Sequence, residues 1–248
     1  CGIAGVIGRS KNKDVTYQLM TRLLANCEAR GKDAAGFWGT EVNDGKILYH
    51  KEPGKSSEFV KKDMWKRIAK VNFDLMIVHA RGASTGVGSP TINKNNHPFT
   101  TADRSIGLVH NGRVQDSEYD VLKKQWELFS KCDSEILLRI FESGELYTAE
   151  QLNELFPELD TGIATRLVGL RDIWRLVHKA HMAIAIGERM EYRNERRLWL
   201  CRNHHRPLWL ADMRSTIGQI FFASTPEIWQ NSVLQTPSIR RYLNNHIK

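Results

Sequence analysis

The chain has few cysteines and no stretch of hydrophobic residues long enough to cross a membrane. Its four cysteines stand far apart, without a Cys-x-x-Cys pair, at Cys1, Cys27, Cys132 and Cys201. This spacing disfavours a disulfide framework and a cysteine-ligated metal site, and it is typical of a reducing compartment. Charged residues make up 26% of the chain and interrupt every apolar run, and no segment resembles a secretory signal. We therefore expect a cytoplasmic protein with no metal and no membrane partner.

Nucleotide-binding signatures are also missing. The sequence contains no Walker A loop, no dinucleotide-binding glycine pattern and no ligase signature, so we expect no cofactor. With 41% apolar residues the chain can fill a complete core, and no repeat or linker divides it. We predict a single domain over residues 1–248, with a polar C-terminal end from about residue 231.

Charge of one sign is in excess. The formal net charge is +8, from 36 basic and 28 acidic residues. An excess of this kind suggests an anionic partner, such as a nucleotide, a nucleic acid or an acidic protein face. The basic pairs are scattered along the chain and form no single stripe, so a solvated basic surface is the alternative and nucleic acid is the weaker partner hypothesis.

Hydrophobic periodicity predicts an α+β fold. Period-two and short apolar runs predict strands at residues 2–8, 35–42, 46–51, 73–80, 106–109, 182–186, 197–201, 208–211 and 220–223. Helical periodicity predicts helices at 15–27, 57–71, 119–129 and 134–142, in parts of 147–178, and from residue 226 onward. Because strands and helices come in separate runs, we expect antiparallel sheets and not alternating βαβ units.

The first residue, Cys1, combines a thiol with a neighbouring α-amino group. A free α-amino group has a pKa of about 7.7–8.0. Near neutral pH part of it is unprotonated and can accept the thiol proton, which is the chemistry of N-terminal nucleophiles. The alternative is that the numbering begins here for reasons unrelated to chemistry.

Three later stretches place polar residues near predicted strand ends or a helix start: HARGASTG at 79–86, VHNGRV at 109–114 and DSE at 133–135. Arg81 could hold a carboxylate through two parallel hydrogen bonds. The amide of Asn111 and the backbone N–H of Gly112 could form an oxyanion hole. Asp133 could hold an ammonium group. A nucleophile with these partners suits an L-amino acid that carries a side-chain amide.

Ser84 and Thr85 could complete the hydrogen bonds to such a substrate. Each residue also has a purely structural interpretation: Asn-Gly is common in hairpin turns, an Asp before an apolar run often caps a helix, and an Arg can form a surface ion pair. The histidines at 79, 97 and 110 fit structural hydrogen bonding better than ligand binding.

The combined motifs resemble the class II glutamine amidotransferase domain, an N-terminal-nucleophile (Ntn) hydrolase. The matching stretches are CGIAGVIG at the start, ARGKDAAGFW at 29–38, HARGASTG, NNHPF at 95–99, VHNGRV and DSE. Their order and spacing are most similar to the glutaminase half of glucosamine-6-phosphate synthase. Later stretches extend the resemblance to about residue 230.

The resemblance implies a four-layer αββα sandwich with two antiparallel sheets, and it implies a role for each matching residue. Cys1 would be the nucleophile and its α-amino group the base. Arg81 would bind the α-carboxylate of the substrate and Asp133 its α-amino group, and Asn111 and Gly112 would form the oxyanion hole. Arg30 would help to hold the N-terminal segment. Ser84 and Thr85 would contact the substrate or shape its pocket.

The chain also departs from the family pattern. Gly82 and Thr85 stand where the synthase has a tryptophan and a histidine, and Asn203-His204 replaces an Arg-Asp turn. The tryptophan belongs to closure and ammonia retention, so its absence leaves that coupling in doubt.

The sequence stops where family members continue into an acceptor domain. We therefore predict a stand-alone subunit that hydrolyses L-glutamine to glutamate and passes ammonia to a separate synthetase or ligase partner, with a weak preference for nucleotide or modified-nucleobase synthesis. The alternatives are an Ntn amidohydrolase that acts on another amide without ammonia transfer, and a catalytically retired scaffold subunit.

Overall fold

The strands of the protein form two antiparallel sheets. The computed structural model describes residues 1–84, 87–237 and 239–241. In this part of the chain the strands are β1 (Gly2–Ile7), β2 (Ala34–Glu41), β3 (Ile47–Pro53), β4 (Phe73–Arg81), β5 (Phe99–Thr100), β6 (Ile106–Arg113), β7 (His181–Met190), β8 (Glu195–Arg202), β9 (Trp209–Met213) and β10 (Gln219–Ala223). The first sheet has the order β3-β2-β4-β1-β10-β9, and the second has the order β5-β6-β7-β8.

The helices lie on the outer faces of the two sheets. They are α1 (Lys13–Cys27), α2 (Ser56–Phe59), α3 (Asp63–Arg67), α4 (Asp116–Leu122), α5 (Ser134–Glu142), α6 (Ala149–Leu155), α7 (Thr161–Leu176) and α8 (Pro226–Leu234). Helices α1 and α8 cover the first sheet, and α5 and α7 cover the second. None of the described helices is long and apolar enough to span a bilayer.

Three apolar cores separate these layers. One lies between α1, α8 and the first sheet, a second between the second sheet and α5 with α7, and a third between the sheets. Trp38 fills the middle of the third core and is fully buried. It fits because Gly107 on the opposite sheet has no side chain, since a Cβ there would lie 2.5 Å from the Trp38 ring. The predicted α+β fold, with two antiparallel sheets in four αββα layers, is confirmed.

Strand β1 occupies the middle of its sheet, with β4 on one side and β10 on the other. Its register pairs Gly2 with Ala80 and Ile3 with His79. One step further along the same register, Cys1 lies level with Arg81. Ile3 belongs to the core between the sheets, so Cys1 and Arg81 open toward the second sheet at one end of that core.

Several predicted elements differ from the observed ones. The single helix predicted at 57–71 is wrong, because Lys62 is extended and separates α2 from α3. The helix predicted at 119–129 begins earlier and ends at Leu122. It cannot extend to 129 because the Glu135 carboxylate takes up the backbone N–H groups of Phe129 and Ser130.

Candidate active site

Cys1 lies at the edge of the core between the sheets and is half-buried. Its Sγ lies 3.5 Å from the Gly82 carbonyl oxygen, to which the thiol donates. Arg30 donates from Nε to the Cys1 carbonyl oxygen over 2.9 Å. Arg30 therefore contacts the N-terminal segment directly, as the family resemblance implies for it.

Arg81 is buried, with 2% exposure, and forms no ion pair within the described residues. The surface ion pair considered from the sequence is therefore wrong. Its Nη1 donates to Asn96 Oδ1, and its Nη2 donates to the carbonyl oxygens of Val87 and Gly88, each over 2.7 Å. A carboxylate that took the Nη1–Nη2 edge of the guanidinium would compete with these three oxygens.

Asn111 and Gly112 lie within β6, so the hairpin turn considered for them is wrong and the strand does not stop at Val109. Asn111 is buried and shares a strand face with Val109, which belongs to the core between the sheets. Its side-chain Nδ2 has no hydrogen-bond partner among the described residues. A buried amide donor without a partner is costly, so its presence here suits a group that arrives with a ligand.

Gly112 lines the pocket beside Cys1. A Cβ on Gly112 would lie 1.7 Å from the His181 carbonyl oxygen on the neighbouring strand β7. Only glycine permits this approach, and it leaves the backbone at Gly112 without a shielding side chain.

Asp133 precedes α5 and is 5% exposed. Its side chain does not cap that helix, so the capping interpretation is wrong. Instead its Oδ2 accepts a hydrogen bond from the Val114 backbone N–H over 2.7 Å, which ties the carboxylate to the end of β6. The carboxylate lines the same pocket as Cys1, Arg81 and Gly112.

The pocket encloses about 280 Å³ including its open mouth. Of the two hydroxylated residues expected there, Ser84 lines the pocket, and Thr85 lies outside the described residues. The structure thus brings Cys1, Arg81, Ser84, Gly112 and Asp133 to one cavity. Asn111 approaches from the core side and Arg30 from behind Cys1.

Three buried histidines form an inner wall, in which His97 and His110 line the pocket and His79 packs behind them. His79 and His97 stack with ring centroids 3.9 Å apart, and a ring nitrogen of His79 lies 3.0 Å from the His110 carbonyl oxygen. Burial lowers the pKa of all three imidazoles below the ordinary histidine value. They are therefore neutral at pH 7 and leave the wall uncharged.

The Cys1 α-amino group has a pKa that is lowered, which is the direction that a catalytic base requires. Burial, followed by the nearby Arg30 and Arg206 cations, lowers its pKa from 8.0 to about 6. At neutral pH this amine is mostly the free base and can accept a proton. By contrast, burial raises the pKa of the Cys132 thiol beside the pocket to about 12, so that thiol stays protonated.

Sequence reasoning missed three contributors to the site. Asn96 orients Arg81, and its stretch NNHPF was noted only as a motif. Asp33 accepts a hydrogen bond from the Ala83 backbone N–H over 2.7 Å and supports the segment that follows β4. Arg206 acts on the Cys1 amine from a distant turn, and no local pattern in the sequence points to it.

No family model matches the chain. A glutamine–fructose-6-phosphate aminotransferase (isomerizing) from Pyrococcus horikoshii is 34% identical over 152 residues, which are 58% of this chain and 23% of that protein. The protein of the same name from Staphylococcus aureus strain Mu50 is 28% identical over 201 residues, or 76% of this chain and 31% of that protein. The chain thus spans less than a third of the length of these curated relatives.

Solved structures show the same fold. The glutamine phosphoribosylpyrophosphate amidotransferase of B. subtilis, determined with ADP and GMP, aligns with a TM-score of 0.55 at 20% identity. The alignment covers 94% of this chain and 43% of that one. At this identity the likeness concerns the fold alone, and it extends across both sheets.

Proposed function

We propose that the chain is a class II glutamine amidotransferase domain that hydrolyses the side-chain amide of L-glutamine, with Cys1 as nucleophile. The observation that carries this proposal is the convergence of Cys1, Arg81 and Asp133 on one cavity beside an unpartnered Asn111 amide. These groups offer a nucleophile, a cation for an α-carboxylate, an anion for an α-ammonium and a donor for an oxyanion.

In the proposed reaction the Cys1 α-amino group takes the Sγ proton, and the thiolate attacks the amide carbonyl carbon. The carbonyl oxygen becomes an oxyanion that accepts hydrogen bonds from Asn111 Nδ2 and the Gly112 backbone N–H. The ammonium then returns its proton to the departing nitrogen, which leaves as ammonia. Water attacks the remaining thioester, and glutamate is released as Cys1 regains its proton.

We further propose that the ammonia passes to a separate acceptor enzyme. The curated relatives are named as aminotransferases, and this chain matches less than a third of each. The net charge of +8 suits an acidic docking face or a nucleotide-linked acceptor. The acceptor pathway, the single domain over 1–248 and the cytoplasmic location stay predictions.

The direct test is glutamate release from L-glutamine by the purified chain. Cys1→Ala should abolish it, and Cys1→Ser should leave a trace, because a hydroxyl is much harder to deprotonate than a thiol. Cys201→Ala is the matched control, since this half-buried free cysteine lies on β8 and not in the pocket. Wild-type turnover in Cys1→Ala would refute the proposal.

The same mechanism requires that the mature protein begin at Cys1. Intact mass and N-terminal sequencing of active protein check this, since an acylated or extended amine could not serve as the base. Full activity in protein whose α-amino group is blocked would rule out the proposed base.

A further inference from the structure

The turn between β8 and β9 crosses from one sheet to the other at the end of the molecule that holds Cys1. On the second sheet, the Asn203 backbone N–H donates to the Met182 carbonyl oxygen over 3.0 Å. Met182 pairs with Gly112 in the β6–β7 register. The turn therefore leaves the second sheet level with the proposed oxyanion hole.

The same turn reaches the first sheet level with the start of β1. Trp209 pairs with Ala223, and Ala223 pairs with Ala4. Continuing this register backward places Pro207 level with Gly2. Residues 204–206 therefore connect the two sheets at the end of the molecule that holds Cys1, with β10 lying between β9 and β1.

The turn is held firmly at its base. Asn203 donates from Nδ2 to the Ala180 carbonyl oxygen and accepts at Oδ1 from the backbone N–H groups of Met182 and His205. The Arg206 N–H closes the turn on the Asn203 carbonyl oxygen over 3.3 Å. Arg206 is thus anchored by its own backbone in this turn.

The Arg206 side chain is half-buried, and its Nε is fully buried without a hydrogen-bond partner among the described residues. Arg206 also forms no ion pair within that part of the chain, although most arginines of the second sheet do. Its positive charge is therefore not neutralised locally and acts on whatever lies beside it.

We propose that Arg206 is a positioning residue for the proposed reaction, which holds the Cys1 α-amino group in its unprotonated form through space. This inference rests on the proposed role of that amine. Arg206 disfavours a second positive charge beside it, in the same direction as Arg30, and burial of the amine acts in the same direction as both.

Other groups also face the amine, and Arg30 acts on it in the same direction as Arg206. The neutral wall histidines add no charge, and the carboxylate of Asp33 opposes the two arginines. The charged and titratable groups concerned are Arg30, Arg206, Asp33, Cys27, His79 and His110. Removing Arg206 should therefore leave Arg30 opposed by Asp33 and make the amine easier to protonate.

The test compares Arg206→Leu with Arg206→Lys. In Arg206→Leu the acid limb of the kcat/KM profile for glutamine should move to higher pH by roughly half a unit. The loss of kcat/KM should then be about threefold at pH 5.5 and absent at pH 8.5. Arg206→Lys keeps the charge but not the planar fork, so its limb should stay in place. If Arg206 had only a structural role, both Arg206→Leu and Arg206→Lys would lower kcat/KM.

The matched control is Arg214→Leu, which removes one exposed arginine paired with Asp212 at the far end of β9. It should not move the limb. An unmoved limb in Arg206→Leu, or an equal shift in Arg214→Leu, would overturn the inference. Thermal unfolding of each variant establishes that the protein is folded at the pH of measurement.

A second measurement needs no turnover. In a Cys1→Ser background, the α-amino group is acetylated with acetic anhydride across pH, and the N-terminal peptide is quantified by mass spectrometry. Its midpoint should rise by roughly half a unit when Arg206→Leu is added. If the wild-type chain does not hydrolyse glutamine but this midpoint shifts, the inference stands and the proposed function fails. No shift would overturn the inference alone.

Discussion

At the scale of the residue, the proposed role of Asn111 can be tested directly by substitution. Its Nδ2 is buried and has no partner among the described residues. In Asn111→Ala we expect kcat for glutamine to fall by about 10²–10³, which is the usual cost of one oxyanion donor. KM should change little, because the hydrogen bond is made mainly in the transition state. Steady-state kinetics distinguishes the two, and a pure KM effect would make Asn111 a binding residue.

Arg81 and Asp133 are expected to recognise the two charged groups of the amino acid. Arg81→Lys should lower kcat/KM for glutamine despite keeping the charge, because lysine cannot donate through a planar fork to Asn96 and a carboxylate together. Asp133→Asn should do the same by removing the countercharge of the substrate ammonium.

Neither change should slow alkylation of Cys1 by iodoacetamide, which has no α-substituents. That control separates lost recognition from lost folding, since unfolding would alter both readouts. If an amide without α-amino and α-carboxylate groups were cleaved as well as glutamine, and both variants still cleaved it, the substrate class would be wrong.

The residues of the site could be predicted from local motifs, but the residues that contact them could not. Cys1, Arg81, Gly112 and Asp133 sit in short stretches whose combination is distinctive, and the structure brings them to one cavity. What Arg81 contacts depends on the path of the loop that follows β4, and the proposed effect of Arg206 on the Cys1 amine depends on how two sheets face each other. That arrangement involves residues more than a hundred positions apart, which no local pattern encodes.

At the scale of the element, strand β6 depends on the close approach at Gly112. Gly112→Ala would drive a Cβ to within 1.7 Å of the His181 carbonyl oxygen, so β6 and β7 would have to separate locally. We expect a loss of glutaminase activity together with a drop in unfolding free energy of a few kcal/mol. Denaturant unfolding and kinetics on the same sample measure both, and an active, fully stable variant would contradict the assignment.

Helix α6 offers the opposite case, in which stability changes and activity does not. Thr148 and Gln151 form a capping box at its start, far from the pocket. Thr148→Ala should cost about 1 kcal/mol of unfolding free energy and leave kcat/KM unchanged. A kinetic effect as large as that of Gly112→Ala would mean that the site responds to general loosening of the fold.

The elements themselves were predicted with uneven success, for physical reasons. Helix α5 was placed correctly at 134–142 because a strong apolar face runs through it. The predicted helix at 57–71 has a comparable pattern, but Phe59 and Trp65 both pack against Phe37, and the helix is interrupted between them at the extended Lys62. Tertiary packing overrode periodicity there.

At the scale of the whole molecule, the buried histidines make stability depend on pH. Burial lowers the pKa of His79, His97 and His110 below that of the unfolded chain. Below about pH 6.5 these histidines bind protons in the unfolded state and remain unprotonated in the native state. Their contribution to the free energy of unfolding is therefore fully present above that pH and is lost as the pH falls. The Cys1 amine acts in the same direction between pH 8 and about 6.

We therefore expect the free energy of unfolding to decrease from pH 8 to pH 5, as measured by urea denaturation. Replacing His97 by Gln should flatten this slope, whatever it does to stability at pH 8. Thr148→Ala, which removes no titratable group, should leave the slope unchanged. A slope that is equal in all three proteins would show that the buried wall is not what titrates.

The motifs also predicted a resemblance to class II glutamine amidotransferases, which the curated relatives support, and the layered fold, which is confirmed. Here the signal came from several short stretches in a fixed order, whose combination is distinctive although no single stretch is. The proposed acceptor and partner have no comparable signature in these residues, and the net charge of +8 does not locate a docking face.

The register of β1 against β4 has a consequence for substrate choice. Gly2 pairs with Ala80, so Cys1 and Arg81 are held side by side by a backbone ladder within a central strand. A ladder can shift only by whole residue pairs, so the two backbone positions that carry the nucleophile and the guanidinium keep a fixed separation. Asparagine, shorter by one methylene, would leave its amide carbon about 1.5 Å from where that of glutamine lies. A misplacement of that size costs on the order of 10²-fold in rate, so, if the proposed reaction holds, asparagine should be hydrolysed about 10²-fold more slowly than glutamine.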